Sequence, residues 1–189
     1  MAPKTCEHGK RLKDEPCIPC DRMSEEFSDA LLRDRLKGPS VLVLRTCTRD
    51  MHGIHDHPKA RKFTWPESGP VEAKDWKPEP ECGNGLHGLL WGEGLGNTLS
   101  WEPDAKWLVV EVEASTIVDL NGKVKFPRGT VVHCGDRKSA TEYLAARAPG
   151  RAIVGAAATA GYDGTATAGY AGTATAGARG TATAGDDGT

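Results

Sequence analysis

The chain carries no excess of charge of either sign: 24 lysines and arginines face 26 aspartates and glutamates, for a formal net charge of -2. That balance argues against the broad basic footprint with which a protein engages nucleic acid. No apolar run is long enough to cross a bilayer, and no apolar signal core follows Met1. The expectation is a cytoplasmic protein with no membrane partner. Two segments also lack the material of a hydrophobic core. Residues 1–22 hold few apolar side chains, and no large aliphatic residue follows Val154. Each of these segments needs another source of order.

In the first segment that source is read as a metal. Cys6 and His8 form a Cys-x-His pair, and Cys17 and Cys20 form a Cys-x2-Cys pair with a short loop between. In a reducing compartment clustered cysteines serve as metal ligands more often than as disulfides. Four N/S donors match the tetrahedral shell of structural zinc, and metal binding would supply the folding energy. A zinc knuckle over residues 1–22, with Zn2+ on Cys6, His8, Cys17 and Cys20, is therefore expected. Residues 23–38 read as a linking amphipathic helix. Ser24 is placed to cap it, Glu25 and Glu26 fill its first turn, and Gly38-Pro39 stops it.

Residues 39–150 read as an α+β domain with a mixed or antiparallel sheet and one or two helices. Ser40 to Arg45 and Lys106 to Ala114 are rich in β-branched residues and apolar on both faces, the pattern of interior strands. Asn121-Gly122 marks a hairpin, and Asp136 is placed to cap a helix that ends at Pro149-Gly150. The domain's chemistry-bearing residues admit more than one use. Cys82 and His87 lie in the glycine-rich run Cys82 to Gly88, and His133-Cys134 is a second thiol–imidazole pair. Such a pair is one ingredient of nucleophilic catalysis. Glu111 and Glu113 alternate with valines and so share a strand face. His52, His55 and His57 cluster in a segment marked as a loop by Gly53 and Pro58. They are read as solvated.

Several segments together carry a family likeness. Val41 to Arg45, Cys82-Gly-Asn-Gly-Leu-His-Gly88, Trp107 to Val112, Val124-Lys-Phe-Pro-Arg-Gly129 and Cys134-Gly-Asp136 resemble a family of domains of unknown function found in phages and bacteria, actinobacterial ones included. Members of that family often end in short glycine-rich repeats, and the resemblance runs from Ser40 to the end; it implies no accepted activity. Arg45 and Glu111-x-Glu113 are faintly similar to the Arg and Glu-x-Glu positions of ADP-ribosyltransferases, whose Ser-Thr-Ser strand this chain lacks.

Residues 151–189 form the last segment, and from Gly155 a period of eight takes over. Thr-Ala-Thr-Ala recurs at Thr165, Thr173 and Thr181 between Gly-x-x-Gly bends, after a degenerate copy at Ala156 to Asp163. A short fixed period means stacked units. Alternation puts threonines on one face and alanines on the other, as in a small parallel β-coil resembling a solenoid. The competing readings, in order, are disorder and binding to ice or another crystal surface. In the latter, Thr165/Thr167, Thr173/Thr175 and Thr181/Thr183 would form a flat two-column array.

The function read from these parts is a non-enzymatic accessory, assembly or binding protein, phage-encoded and acting in the host cytoplasm or virion. It would have a structural zinc site and would form a dimer or trimer through its tail. The alternative is an enzyme acting on a nucleotide-type ligand in a glycine-lined cleft near residues 83–88. Arg45, Cys82, His87, Glu111 and Glu113 would be its catalytic set.

Overall fold

The computed structural model describes residues 32–54 and 63–189. The chain divides into two units, Met1–Lys37 and Gly38–Thr189. In the first, residues 32–35 are helical, and the Leu36 N–H donates to the Leu32 carbonyl at 3.0 Å.

The second unit is built on a sheet of seven antiparallel strands. In chain order they are β1 (Ser40–Cys47), β2 (Gly69–Glu72), β3 (Leu86–Leu90), β4 (Lys106–Glu113), β5 (Val118–Asp119), β6 (Val124–Phe126) and β7 (Arg128–Gly135). In space the order is β2-β7-β4-β1-β3-β6-β5. The two most β-branched strands, β1 and β4, lie side by side over eight residue pairs, from Ser40↔Glu113 to Cys47↔Lys106. Directly opposed residues of an antiparallel pair share a face. Leu42, Leu44, Val109 and Trp107 therefore form one face, and Val41, Val43, Leu108 and Val110 the other; all eight are buried. An interior strand in water needs both faces covered, and the covers differ.

The first face is covered by α1 (Arg137–Ala145). Ala140 and Leu144 of this helix pack with Leu44, Leu89, Val109, Ile153 and Val154. Asp136 caps the helix: its carboxylate accepts the Ser139 N–H at 2.8 Å. Those hydrogen bonds hold its carboxyl below the ordinary carboxylate range. On the second face the Trp65 ring lies against the Arg45 guanidinium, and Met51 and Trp65 are both buried. The Asn121-Gly122 turn joins the short antiparallel pair β5 and β6.

The expected α+β class with a zinc knuckle is corrected here. The described residues of the second unit form a mostly antiparallel β fold with the nine-residue α1 against one face, and no zinc site is part of it. The physical reason is that strands, not helices, make up most of the described elements, and they pair antiparallel in one sheet. Among the described residues no helix is long and apolar enough to cross a membrane.

The repeats form four further strands: β8 (Ala157–Ala160), β9 (Thr165–Ala168), β10 (Thr173–Ala176) and β11 (Thr181–Ala184). All pairing among them is parallel, β10 on β8 and β11 on β9, with partners such as Thr175↔Thr159 and Thr183↔Thr167. The spatial repeat is thus two octads, one coil. Backbone hydrogen bonds tie coil to coil: Thr173 N–H to Ala156 O at 2.8 Å, Thr181 N–H to Gly164 O at 2.9 Å and Gly185 N–H to Ala168 O at 3.1 Å. The bends recur as glycine because the preceding coil lies where a side chain would be. A Cβ on Gly180 would sit 2.6 Å from Gly164 O, and one on Gly188 2.8 Å from Gly172 O. The first coil rests on the main sheet domain. Val154 N–H donates to Gly92 O, and Gly169 N–H donates to Ile153 O. Tyr170 lies 5.8 Å from Trp101 between ring centroids.

Candidate functional site

Two surfaces carry the side chains singled out in the sequence. The first is the start of β3 with its flanking turns. The turn Gly83-Asn84-Gly85 runs at φ of 94°, 52° and 144°, left-handed conformations that glycine adopts freely and asparagine tolerates. It brings the Gly83 N–H to His87 Nε2 at 3.4 Å. His87 stands opposite Lys125 of β6. Its pKa is pushed down to about 4, first by burial and then by the positive charges of Lys123, Arg45 and Lys125, against a hydrogen bond to the Gly85 backbone. A neutral imidazole at pH 7 follows. The exposed thiol of Cys82 accepts a hydrogen bond from Lys123 Nζ at 2.7 Å.

Arg45 reaches the same region from β1. Its guanidinium donates to the His87 carbonyl at 2.9 Å and lies 4.2 Å from the centre of the Trp65 ring. Arg45, Cys82 and His87 are therefore neighbours, joined through Lys123 and backbone. The glutamates are not with them. Arg45 is paired with Leu108, whereas Glu111 is paired with Leu42 and Glu113 with Ser40. Parity places Arg45 on one face of the sheet and both glutamates on the other. Strand β1 also separates β4 from β3. Glu111 accepts from Ser40 Oγ at 2.7 Å, and Glu113 accepts from Ser115 Oγ at 2.5 Å. Glu111 lines a shallow groove of about 230 Å³ with Leu42, Trp91, Tyr143 and Arg147, and His87 is not part of its lining. The second thiol–imidazole pair is divided too. The His133 ring stacks on Tyr143 and its Nε2 lies 3.1 Å from Ser139 Oγ. Burial raises the pKa of the Cys134 thiol.

Cys6, His8, Cys17 and Cys20 lie outside the described residues, as do His55 and His57. The ring of His52 meets Phe63 O and Thr64 Oγ1, each at 3.4 Å. Among the described residues no group of three or more His, Cys, Asp and Glu is placed to hold a metal ion.

The second surface belongs to the repeats. On the β9–β11 sheet, Thr165 stands beside Thr181 and Thr167 beside Thr183. Three of these threonines are exposed and Thr167 is partly so, while Ala166 and Ala168 are buried beneath. Thr173 and Thr175 lie instead on the opposite sheet with Ala157 and Thr159. The three threonine pairs that look equivalent in sequence are thus divided between two surfaces, because the period of eight becomes a coil of two octads. Spacing within the four-threonine array is about 6.7 Å along a strand and about 4.8 Å across. A β-branched side chain on a strand is stiff at χ1, so the hydroxyls and methyls form a regular lattice with little freedom to lose.

The chain is similar to several known bacterial proteins. The chain is similar to an ice nucleation protein of Xanthomonas campestris pv. translucens, 46% identical over 111 residues, which is 58% of this chain and 7% of that protein. It is similar to an ice nucleation protein of Pseudomonas syringae, 48% identical over 109 residues, 57% of this chain and 9% of the relative. It is also similar to the ice nucleation protein InaU of Pantoea ananas, 42% identical over 113 residues, 58% of this chain and 10% of the relative. The chain therefore spans a tenth or less of the length of these relatives. No solved structure matches. The reading as a phage-encoded, zinc-binding accessory protein is overturned by these matches: the relatives are bacterial ice nucleation proteins, and the described residues hold no metal site. Residues 41–146, more than half of the 189, match the family described as Domain of unknown function (DUF7666), and the chain belongs to that family.

Proposed function

We propose that the chain is an ice-nucleation-related protein whose repeat coil presents the array Thr165, Thr167, Thr181 and Thr183 to water and orders it into an ice-like layer. The observation that carries this reading is the register of β9 on β11, which sets four threonines into two columns on one flat, outward surface. Stiff hydroxyls at fixed spacing anchor water with little entropy cost in the protein, and the methyls between them limit competing hydrogen bonds. The names of the relatives agree with it. The test is droplet freezing. Thr165→Lys with Thr183→Lys places long, mobile charges at opposite corners of the array without changing the alanine interior. The freezing spectrum of the double variant is expected to fall back to that of buffer, with its circular dichroism unchanged. A folded variant that freezes droplets like the parent would remove the array from the function.

Growth of ice requires a sufficiently large template, and four threonines make a small one. Self-association through the coil would enlarge it. Strand β11 pairs with β9 alone among the described strands. The Thr181 and Gly185 N–H groups donate inward to Gly164 O and Ala168 O, so alternation turns those of Ala182 and Ala184 outward. Such an edge is a template for another strand. Copies of this chain are the occupant we propose, most simply a dimer or trimer. Ala182→Pro removes one outward donor, and light scattering is expected to show a lower mass than for the parent chain. A parent that has the mass of one chain at every concentration would dismiss self-association.

A further inference from the structure

The turn ahead of β3 gathers positive charge that nothing in the ice reading uses. Lys125 is 1% exposed. Its ammonium donates to the Glu81 carbonyl at 2.9 Å and lies 5.7 Å from the centre of the Trp76 ring. A carbonyl and a ring face supply only partial negative charge, and a buried ammonium ordinarily has a carboxylate beside it. The described ion pairs join Asp34 to Lys37, Glu142 to Lys138, Glu93 to Arg151 and Asp163 to Arg179. None involves Lys123 or Lys125. Lys123 is half-buried, and the Cys82 sulfur takes one of its three donors. Gly83 and Asn84 are exposed, so an anion can approach their backbone from solvent.

We propose that the Gly83-Asn84-Gly85 turn, Lys123 and His87 bind a phosphate group. Lys123 Nζ and the Asn84 N–H are the donors at hand, and the Gly83 N–H joins them once a protonated His87 no longer accepts it. Lys125 and Arg45 supply the field from behind, as they do at His87. A phosphate carries about -1.5 to -2 charges and three strong acceptor oxygens, a closer match to several cations and a row of donors than a single carboxylate. His87 is coupled to the site. The charges that hold its imidazole neutral are those an anion would offset. Protonation would also replace the Gly83 N–H to Nε2 contact with a second donor. The phosphate is either free or the head group of a lipid surface, and binding involves no bond-breaking step.

The experiment uses the full chain at constant ionic strength. Inorganic phosphate is titrated in while the His87 imidazole resonances are followed by NMR, for the parent and for Lys123→Gln. In the parent the His87 pKa is expected to rise from about 4 as the site fills. Removing a charged donor is expected to weaken binding roughly tenfold or more. A parallel arm sediments the chain with phosphatidylcholine vesicles containing or lacking phosphatidic acid. Lys123-dependent binding of inorganic phosphate assigns the free anion. Lys123-dependent binding that needs phosphatidic acid assigns the lipid head group. The proposal is overturned if phosphate leaves His87 unmoved and phosphatidic acid vesicles sediment no chain, or if parent and Lys123→Gln bind equally.

Discussion

Leu44→Ala is expected to destabilise the chain by about 2–5 kcal/mol, the range for emptying a fully buried leucine site. Leu44 is 0% exposed. It belongs to the cluster in which Leu89 and Val109 of the sheet, Leu144 of α1, and Ile153 and Val154 ahead of the repeats all meet. Few positions join three parts of the fold in this way. The surroundings are also poorly able to collapse. Gly92 is held close by, such that a Cβ there would lie 3.5 Å from Leu44 Cδ2 and 3.0 Å from Ile153 Cγ2. Set against total stabilities of about 5–15 kcal/mol, the loss would take a large share. Urea denaturation of parent and variant measures it. A midpoint shift near zero would mean that the helix face is not the main core. Because Ile153 and Val154 share the cluster, the variant should also loosen the first coil.

Gly169→Ala is the second large effect, and it is local. A methyl there would fall onto the Ala152 carbonyl oxygen and lie 2.8 Å from both Ile153 C and Val154 N. Backbone atoms cannot swing aside as a long side chain can. The Gly169 N–H to Ile153 O bond at 2.9 Å must lengthen or break. Overpacking of this kind costs about 1–3 kcal/mol, occasionally more, here concentrated where the first coil meets the sheet domain. Hydrogen exchange is the measurement. Amides of β8 to β11 are expected to lose protection while those of β1 and β4 keep theirs. Unchanged protection throughout the repeats would show that the coils hold without that seat. Freezing activity of this variant then separates an ordered threonine array from threonines merely present.

Some of this protein is written in short stretches of sequence. Alternation in Lys106 to Glu113 makes a strand, and Glu111 and Glu113 share its face whatever surrounds them. Asp136 caps α1 and Asn121-Gly122 turns the chain because both act within a few residues. The octad with its alternating threonines and alanines is equally local. The rest depends on which strands meet. The α+β label failed because the expected helices do not set the class; the described elements are mostly strands in one antiparallel sheet, with α1 against one face. Arg45 and the two glutamates fell on opposite faces because β1 meets β4 with Arg45 against Leu108 and Leu42 against Glu111. Those partners lie far apart in the chain, and a one-residue slip would have reversed the outcome. The threonines behave the same way. Their eight-residue spacing is in the sequence, but only strand pairing across two octads decides that Thr165, Thr167, Thr181 and Thr183 share one surface and that Thr173 and Thr175 look the other way. Local alternation sets which way a side chain points from its own strand. Long-range hydrogen bonding sets which other side chains point with it, and both candidate sites of this chain are made of the latter.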